Sequence, residues 1–187
     1  MEANFRNLKI GVTGGQGVGK STFCAKLHKA LSARTSTPVS ILPSIGEGLK
    51  RQGISYGSAA SAESVLAIYT AHLERMRASS GIGIEILDRC AVDALCYTRA
   101  LALNSATEQH LLTELSHLMA AQLDLVIYLR MEGIFTKSAA THETDELRRG
   151  VAAQFDQALS DLGRPFHSIY AADENEFSEV LAHILDL

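Results

Sequence analysis

The sequence predicts an α/β protein, a three-layer α/β/α sandwich around a central, mostly parallel sheet of five strands. Short apolar runs alternate along the chain with longer segments of helical periodicity. Strands that alternate with helices imply a parallel sheet covered on both faces. Residues 125–129 are continuously apolar, which is typical of a strand buried within such a sheet.

The composition indicates one ordinary globular domain. The chain has 187 residues, of which 47% are hydrophobic and 20% are charged, and its net charge is -4. This charge provides no basic field for nucleic acid, and we find neither a membrane span nor a signal-peptide pattern. The three cysteines lack metal-site spacing and are expected to be reduced thiols. We therefore expect a single cytoplasmic domain over residues 1–187.

The amino-terminal part predicts a strand, a helix and a second strand. Alternating apolar residues predict a strand over residues 8–13, and apolar residues at helical spacing predict a helix that runs to residue 31. Residues 39–42 predict a short strand that Pro43 ends. Glycines interrupt the next segment, where only residues 45–52 could form a short helix.

A long helix is predicted over residues 62–78, because its apolar residues follow the helical period. Ser61 is expected to cap this helix at its amino-terminal end. We expect three of its polar side chains, those of His72, Arg75 and Arg77, to face water.

A strand and two helices are predicted next, over residues 82–88, 90–103 and 107–122. Thr107 is the expected cap of the second of these helices. Its apolar stripe is interpreted as core and consists of Leu111, Leu112, Leu115, Leu118, Met119 and Leu123.

The carboxyl-terminal part follows the strand at residues 125–129. Weak periodicity over residues 134–144 predicts a mobile segment, and the helix after it ends at Gly163. A last strand over residues 166–170 and a last amphipathic helix over residues 174–187 complete the predicted fold.

A glycine-rich motif follows the first predicted strand and opens the first helix. Residues 14–21 fit the phosphate-binding pattern G-x-x-x-x-G-K-[ST] without a mismatch. Such a loop points backbone N–H groups at a phosphate, and the helix start adds further donors. Lys20 would reach the β- and γ-phosphates, Ser21 would ligate Mg²⁺ and Thr22 would touch the α-phosphate. The predicted binding residues for ATP, or another nucleoside triphosphate, are Gly14, Gly15, Gln16, Gly17, Val18, Gly19, Lys20, Ser21 and Thr22.

Asp88 ends the predicted strand over residues 82–88, where a carboxylate beside the phosphate-binding loop would hold Mg²⁺ together with Ser21. Asp88 is therefore a predicted catalytic residue, as is Lys20. Asp88 could instead cap the next helix, and the two roles are compatible.

Charged residues that follow strand ends are candidates for binding a second substrate, because α/β sheets bind ligands at that edge. These residues are Glu47, Arg51, Arg89 and Asp93. A solvated charged turn is the alternative for the first two of them. The sequence leaves open whether Asp88 or Glu47 accepts the proton of an attacking hydroxyl.

Several motifs resemble the nucleoside and nucleotide kinase branch of the P-loop proteins. Asp88-Arg89 resembles the Asp-Arg of thymidylate kinases and the Glu-Arg of deoxynucleoside kinases, and residues 128–130, Tyr-Leu-Arg, resemble the strand before their lid. Residues 88–95 and 145–149 resemble segments of small AAA-type ATPases, which are related to the ribosylnicotinamide kinase domain of the bacterial NAD-synthesis regulator.

The resemblance implies a lid-like segment over about residues 131–149, from which Arg148, alone or with Arg149, would cover the transferring phosphoryl group and act in catalysis. Such an arginine contributes about 10³-fold or more to the rate. The sequence departs from the lid pattern at Glu146, where glycine is usual. It also has residues 43–47 where thymidylate kinases carry Arg-Glu-Pro, which argues against thymidylate as the acceptor.

The function expected is Mg²⁺-dependent transfer of the γ-phosphate of ATP to a small metabolite, a nucleoside or a nucleotide. The alternative is a regulatory ATPase or NTPase switch that acts on a protein partner. The guanine-reading pattern Asn-Lys-x-Asp is absent, because residues 136–139 lack the final Asp. The expected partners are a nucleoside triphosphate and a small acceptor, without nucleic acid or membrane, and a homodimer is left open.

Overall fold

The structure is a computed structural model, which describes residues 7–79, 81–131, 144–163 and 165–187, without the side chain of Glu47. The predicted lid-like segment falls mostly on residues 132–143, which lie outside the described residues. The strands are β1 (Leu8–Gly14), β2 (Val39–Leu42), β3 (Ile84–Asp88), β4 (Leu125–Leu129) and β5 (Phe166–Ile169). The helices are α1 (Lys20–Ser32), α2 (Gly46–Arg51), α3 (Ala62–Arg77), α4 (Ala91–Leu101), α5 (Ala106–Ala120), α6 (Asp145–Leu162) and α7 (Glu174–Asp186).

The five strands form one parallel sheet in the order β2-β3-β1-β4-β5. β1 is central, and its register places Val12 opposite Asp88 of β3 and Gly14 opposite Leu129 of β4. All carboxyl ends therefore meet at one edge, where the glycine-rich loop leaves β1. This parallel sheet between helical layers confirms the predicted fold class.

Two hydrophobic clusters cover the two faces of the sheet. On one face α1 and α7 pack on apolar side chains of β1, β3 and β4, such as Ile10, Ile86 and Ile127. On the other face α3, α4, α5 and α6 pack around Val126 and Tyr128 of β4. Each inner strand is covered on both sides, which accounts for its near-continuous apolar sequence.

Helix α3 differs from the sequence expectation on its polar side chains. Ser61 caps it as predicted, with a capping box formed with Ser64. His72 and Arg75 were expected to face water, and this expectation is wrong. His72 lies on the buried stripe of the helix, and Arg75 is half-buried because its guanidinium turns toward the sheet.

Helix α5 begins one residue earlier than expected, at Ala106, and buries less of its apolar stripe. Ser105, and not Thr107, is the cap, because Glu108 three residues later completes a capping box with it. Leu111 is 62% exposed and Leu118 is 67% exposed, so these two leucines do not belong to the core. Only the side of α5 turned toward α3 and α4 is covered.

Within the described ranges, no helix is both long and apolar enough to cross a membrane. The three cysteines, Cys24, Cys90 and Cys96, are free and buried. Burial raises the pKa of the Cys24 and Cys90 thiols to about 12, so neither is a thiolate at neutral pH. They act as small core residues.

Candidate active site

The glycine-rich loop joins the central strand β1 to α1. Lys20 is the first residue of α1 and is 5% exposed. Its Nζ donates to the carbonyl oxygens of Gly14 at 2.7 Å and Gly15 at 2.5 Å, so the ammonium group is held at the start of the loop. Gly19 precedes the helix in the left-handed conformation and offers no side-chain cap, which leaves the first N–H groups of α1 for a ligand.

Arg148 lies against this loop, although it comes from α6. Its Nη2 donates to the carbonyl of Gln16 at 3.1 Å, and the side chain is 2% exposed. Gly17 has φ 83°, and a Cβ there would lie 2.7 Å from Arg148 Nη2. Glycine at this position therefore permits both the loop conformation and the close approach of the guanidinium.

Ser21 and Asp88 meet beside the loop. The Ser21 hydroxyl donates to Oδ2 of Asp88 at 2.6 Å, which links α1 to the end of β3. The other carboxylate oxygen, Oδ1, is buried and makes no hydrogen bond with any described residue. A hydroxyl oxygen and a carboxylate oxygen thus lie together, with one acceptor atom left over.

This pair fits a magnesium ion. Mg²⁺ prefers oxygen ligands and keeps several waters, so one or two protein oxygens and the substrate phosphates suffice to hold it. Ser21 and Asp88 are the residues that would bind the ion, and Oδ1 of Asp88 would gain the partner that it lacks. A bound Mg²⁺ would supply positive charge that neutralises the phosphate oxygens.

Arg89 turns the chain sharply after Asp88. Its φ is 70°, a left-handed conformation that is uncommon outside glycine. Its Nη1 lies 3.2 Å from Oδ1 of Asp93, one turn into α4. Asp93 is 3% exposed, and its Oδ2 also accepts from the Thr13 hydroxyl at 2.7 Å and from the Cys90 N–H at 3.0 Å.

Arg75 of α3 holds this turn from the side. Its Nη1 donates to the carbonyls of Pro43 and Asp88, each at 3.0 Å, and its Nη2 donates to the carbonyl of Arg89. One guanidinium therefore ties the ends of β2 and β3 together. Burial lowers the pKa of Arg75 from its usual range, but these three carbonyl partners suit the charged form.

A cavity of about 200 Å³ lies between α2, α3 and α4 and reaches the loop at Gln16. Arg89, Asp93 and His72 contribute polar groups to its lining. The rest of the lining is mostly apolar or aromatic, with Ile45, Leu49, Tyr56, Val65, Ile68 and Tyr97 among its residues. Its size and mixed lining suit a small organic molecule next to the phosphate-binding loop.

A family model described as an AAA domain matches residues 9–176. The chain belongs to this AAA domain family. The match spans most of the chain and includes the loop, Asp88 and Arg148. No curated protein matches the sequence significantly.

Solved structures share the fold of this AAA domain. Deoxyadenosine kinase from M. mycoides with bound dATP has a TM-score of 0.68 and 17% identity, with 96% of this chain and 100% of that chain covered. Thymidylate kinase from Ehrlichia chaffeensis has a TM-score of 0.69 and 16% identity, with 97% and 99% covered. The resemblance to nucleoside and nucleotide kinases seen in the sequence is thereby confirmed for the fold.

The remaining predicted site residues of this AAA domain have different environments, and not all of them line the cavity. Val18 is half-buried against the core of the sheet, and Thr22 is exposed in the first turn of α1. Arg51 is exposed at the end of α2 and does not line the cavity. Gly46 and Leu49, on either side of Glu47, do line it. Arg149 is exposed and turned back toward its own helix.

Sequence reasoning missed His72 and Arg75 as residues of this AAA domain's site. His72 could have been found, because it continues the spacing of Tyr69 and Met76 on the buried side of α3. Arg75 had no such signal, since its partners are backbone carbonyls that only the folded chain brings together.

Proposed function

We propose that this AAA domain is a Mg²⁺-dependent phosphotransferase that moves the γ-phosphate of ATP to a small acceptor, a nucleoside or a nucleotide. One observation carries the proposal, namely that the cavity shares Gln16 with the phosphate-binding loop. A molecule in the cavity would thus lie next to the terminal phosphate of a bound triphosphate. The solved structures of the same fold include a deoxyadenosine kinase with bound dATP, which supports a nucleotide as a ligand of this fold.

The chemistry needed is mainly positioning and charge neutralisation. The loop N–H groups and Lys20 would cradle the β- and γ-phosphates, and Ser21 with Asp88 would fix the metal. Arg148, packed on Gly17, would donate to oxygens of the transferring group. Because Arg148 is nearly fully buried, its charge would act with little screening by solvent.

Either Asp88 or Glu47 would take the proton of the attacking hydroxyl. Replacing each by its amide separates the two roles. If Glu47 is the base, Glu47→Gln would lower kcat and leave the affinity for MgATP unchanged. Asp88→Asn would lower that affinity as well, because Asp88 would help to hold the metal.

The proposal is tested by phosphate transfer from ATP labelled at the γ-position, with Mg²⁺ and a pool of nucleosides and nucleotides. We expect a labelled acceptor, and we expect Lys20→Ala to lose turnover by about 10²-fold or more because the phosphates lose a buried cation. Circular dichroism would check that this variant stays folded. Full activity in Lys20→Ala would contradict the assignment of the site.

A second candidate is an ATPase that acts on a protein partner, and membership of the AAA domain family favours it. The same assay distinguishes the two, since its control contains no acceptor. Phosphate release at an equal rate with and without the pool, and no labelled product, would support the ATPase.

A further inference from the structure

His72 is a buried polar residue of the cavity for which the proposed chemistry has no use. It lies on α3, is 3% exposed and lines the cavity with Arg89 and Asp93. A buried imidazole needs hydrogen-bond partners for both of its nitrogens, or an unpaired polar atom remains. The partner of each nitrogen therefore determines which group, donor or acceptor, His72 presents to a ligand in the cavity.

One of the two nitrogens is occupied. Nδ1 lies 3.2 Å from Nη2 of Arg75. A guanidinium can only donate, so Nδ1 accepts and carries no proton. Burial, helped by the charges of Arg75 and Arg89, lowers the pKa of His72 to about 3. The ring is therefore neutral at neutral pH, and its single proton is on Nε2.

Nε2 is the nitrogen left for the cavity. No described residue accepts a hydrogen bond from it. Because Nδ1 is turned to Arg75, which does not line the cavity, the opposite edge of the ring is the edge that borders it. His72 thus presents a neutral donor, in a fixed tautomer, to whatever fills the space.

The charge of the cavity favours an uncharged ligand. Arg89 is the cation among the described residues of the lining, and it already faces Asp93 at 3.2 Å. A phosphate monoester carries about two negative charges at neutral pH. Burying those charges would require cationic partners beyond this one pair. A nucleoside makes no such demand and needs only neutral hydrogen bonds.

We propose that His72 is a specificity-determining residue of the cavity, whose Nε2–H donates a hydrogen bond to an uncharged oxygen or nitrogen of a nucleoside. The inference rests on the proposed function, since it assigns the acceptor to this cavity. A nucleoside without that acceptor atom would leave the buried donor unpaired, which is the kind of loss that gives a site its selectivity.

Two variants separate the two nitrogens of the ring. In His72→Asn the side-chain oxygen replaces Nδ1 and keeps the contact with Arg75, but the shorter side chain has no donor at the position of Nε2. In His72→Gln the amide nitrogen replaces Nε2 and keeps that donor, but the contact with Arg75 is lost. The probes are the four deoxynucleosides and their 5′-monophosphates, with γ-labelled ATP and Mg²⁺.

For the nucleoside that is labelled best, we expect KM to rise about tenfold in His72→Asn with kcat little changed. In His72→Gln we expect KM to stay within about threefold of the wild-type value. An unchanged KM in His72→Asn, or preferential labelling of the monophosphates, would overturn the inference while the kinase proposal stands. No labelled product in the wild type would instead overturn the kinase proposal, and this inference with it.

Imidazole ¹⁵N–¹H correlation spectra of the wild-type protein give a test that does not depend on activity. We expect the His72 proton on Nε2, and we expect its resonance to shift when the labelled nucleoside is added. A proton on Nδ1 would overturn the inference even if both variants failed to fold.

Discussion

Arg148 and Arg149 are neighbours in the sequence with opposite environments. Arg148 is buried against the loop through Gln16 and Gly17, whereas Arg149 is exposed. Arg148→Gln should lower kcat by about 10³-fold, because the transferring group loses its buried guanidinium. Arg149→Gln is the matched control and should change kcat less than about twofold, since exposed charges contribute little.

Steady-state kinetics with the acceptor found in the transfer assay would measure both effects. Equal losses in the two variants would show that Arg148 acts only through the general charge of α6. A rise in KM for ATP alone, with kcat unchanged, would assign Arg148 to binding of ATP in the ground state.

His72 should make stability depend on pH. Its pKa is about 3 in the folded protein, against 6.5 for an ordinary histidine. Between these values the unfolded chain takes up a proton that the folded protein does not, so protonation favours unfolding as the pH falls. This contribution is absent above about pH 6.5, and it should cost about 2 kcal/mol at pH 5.

Urea unfolding of the wild type and His72→Asn at pH 7 and pH 5 would measure this effect. Carboxylates contribute to both proteins alike, so the difference between them isolates the imidazole. We expect the wild type to lose more stability than the variant on acidification. Equal losses would mean that His72 is protonated in the folded protein at pH 5.

Among the elements, α3 contributes more to the site than its position on the outside of the sheet suggests. Arg75 bonds carbonyls at the ends of β2 and β3 and supports the left-handed turn at Arg89. Arg75→Met keeps most of the apolar stem but removes these donors, and it should destabilise the protein by about 2–3 kcal/mol. Arg77→Met changes an exposed residue of the same helix and should cost less than about 0.5 kcal/mol.

Denaturant midpoints of the two variants, converted to free energies of unfolding, would test this prediction. The Arg75 variant should also bind MgATP more weakly than the Arg77 variant, because Asp88 would no longer be held firmly beside Ser21. An Arg75 variant as stable as the Arg77 variant would show that water replaces the guanidinium at the three carbonyls.

The strands and helices were largely predictable because local signals define them. Pro43 ends β2, a continuous apolar run marks β4, and Gly163 ends α6 in the left-handed conformation. The start of α5 was missed because Ser105 and Thr107 both have capping side chains. The capping box decides between them, because Ser105 has a glutamate, Glu108, three residues later and Thr107 does not.

The site was predictable only in part, because the sheet and the packing of the helices bring its residues together from distant parts of the sequence. Ser21 and Asp88 were expected together, since both follow strands with adjacent carboxyl ends. The contact between Gly17 and Arg148 has no local signal, and a resemblance to known kinases was needed to suggest a role for Arg148. The cavity depends on how α2, α3 and α4 pack, which periodicity alone does not determine.

The phosphate-binding site joins distant parts of the chain, so a bound nucleotide should stabilise the fold as a unit. The residues proposed to bind the nucleotide come from the loop after β1, from α1, from the end of β3 and from α6. Helices α1 and α6 pack on opposite faces of the sheet. With free MgATP about 100-fold above its Kd, the gain is about 2.7 kcal/mol. For a domain of this length that corresponds to a rise in Tm of about 5–10 °C.

Thermal unfolding followed by circular dichroism would measure this shift with ATP and Mg²⁺, and again with ATP and EDTA. We expect the full rise only with the metal, because Ser21 and Asp88 would contact the triphosphate through it. Lys20→Ala should lose most of the rise, measured against the Tm of the same variant without ligand. An equal rise with EDTA, or an undiminished rise in Lys20→Ala, would mean that ATP binds elsewhere on the protein, and the proposed function would lose its site.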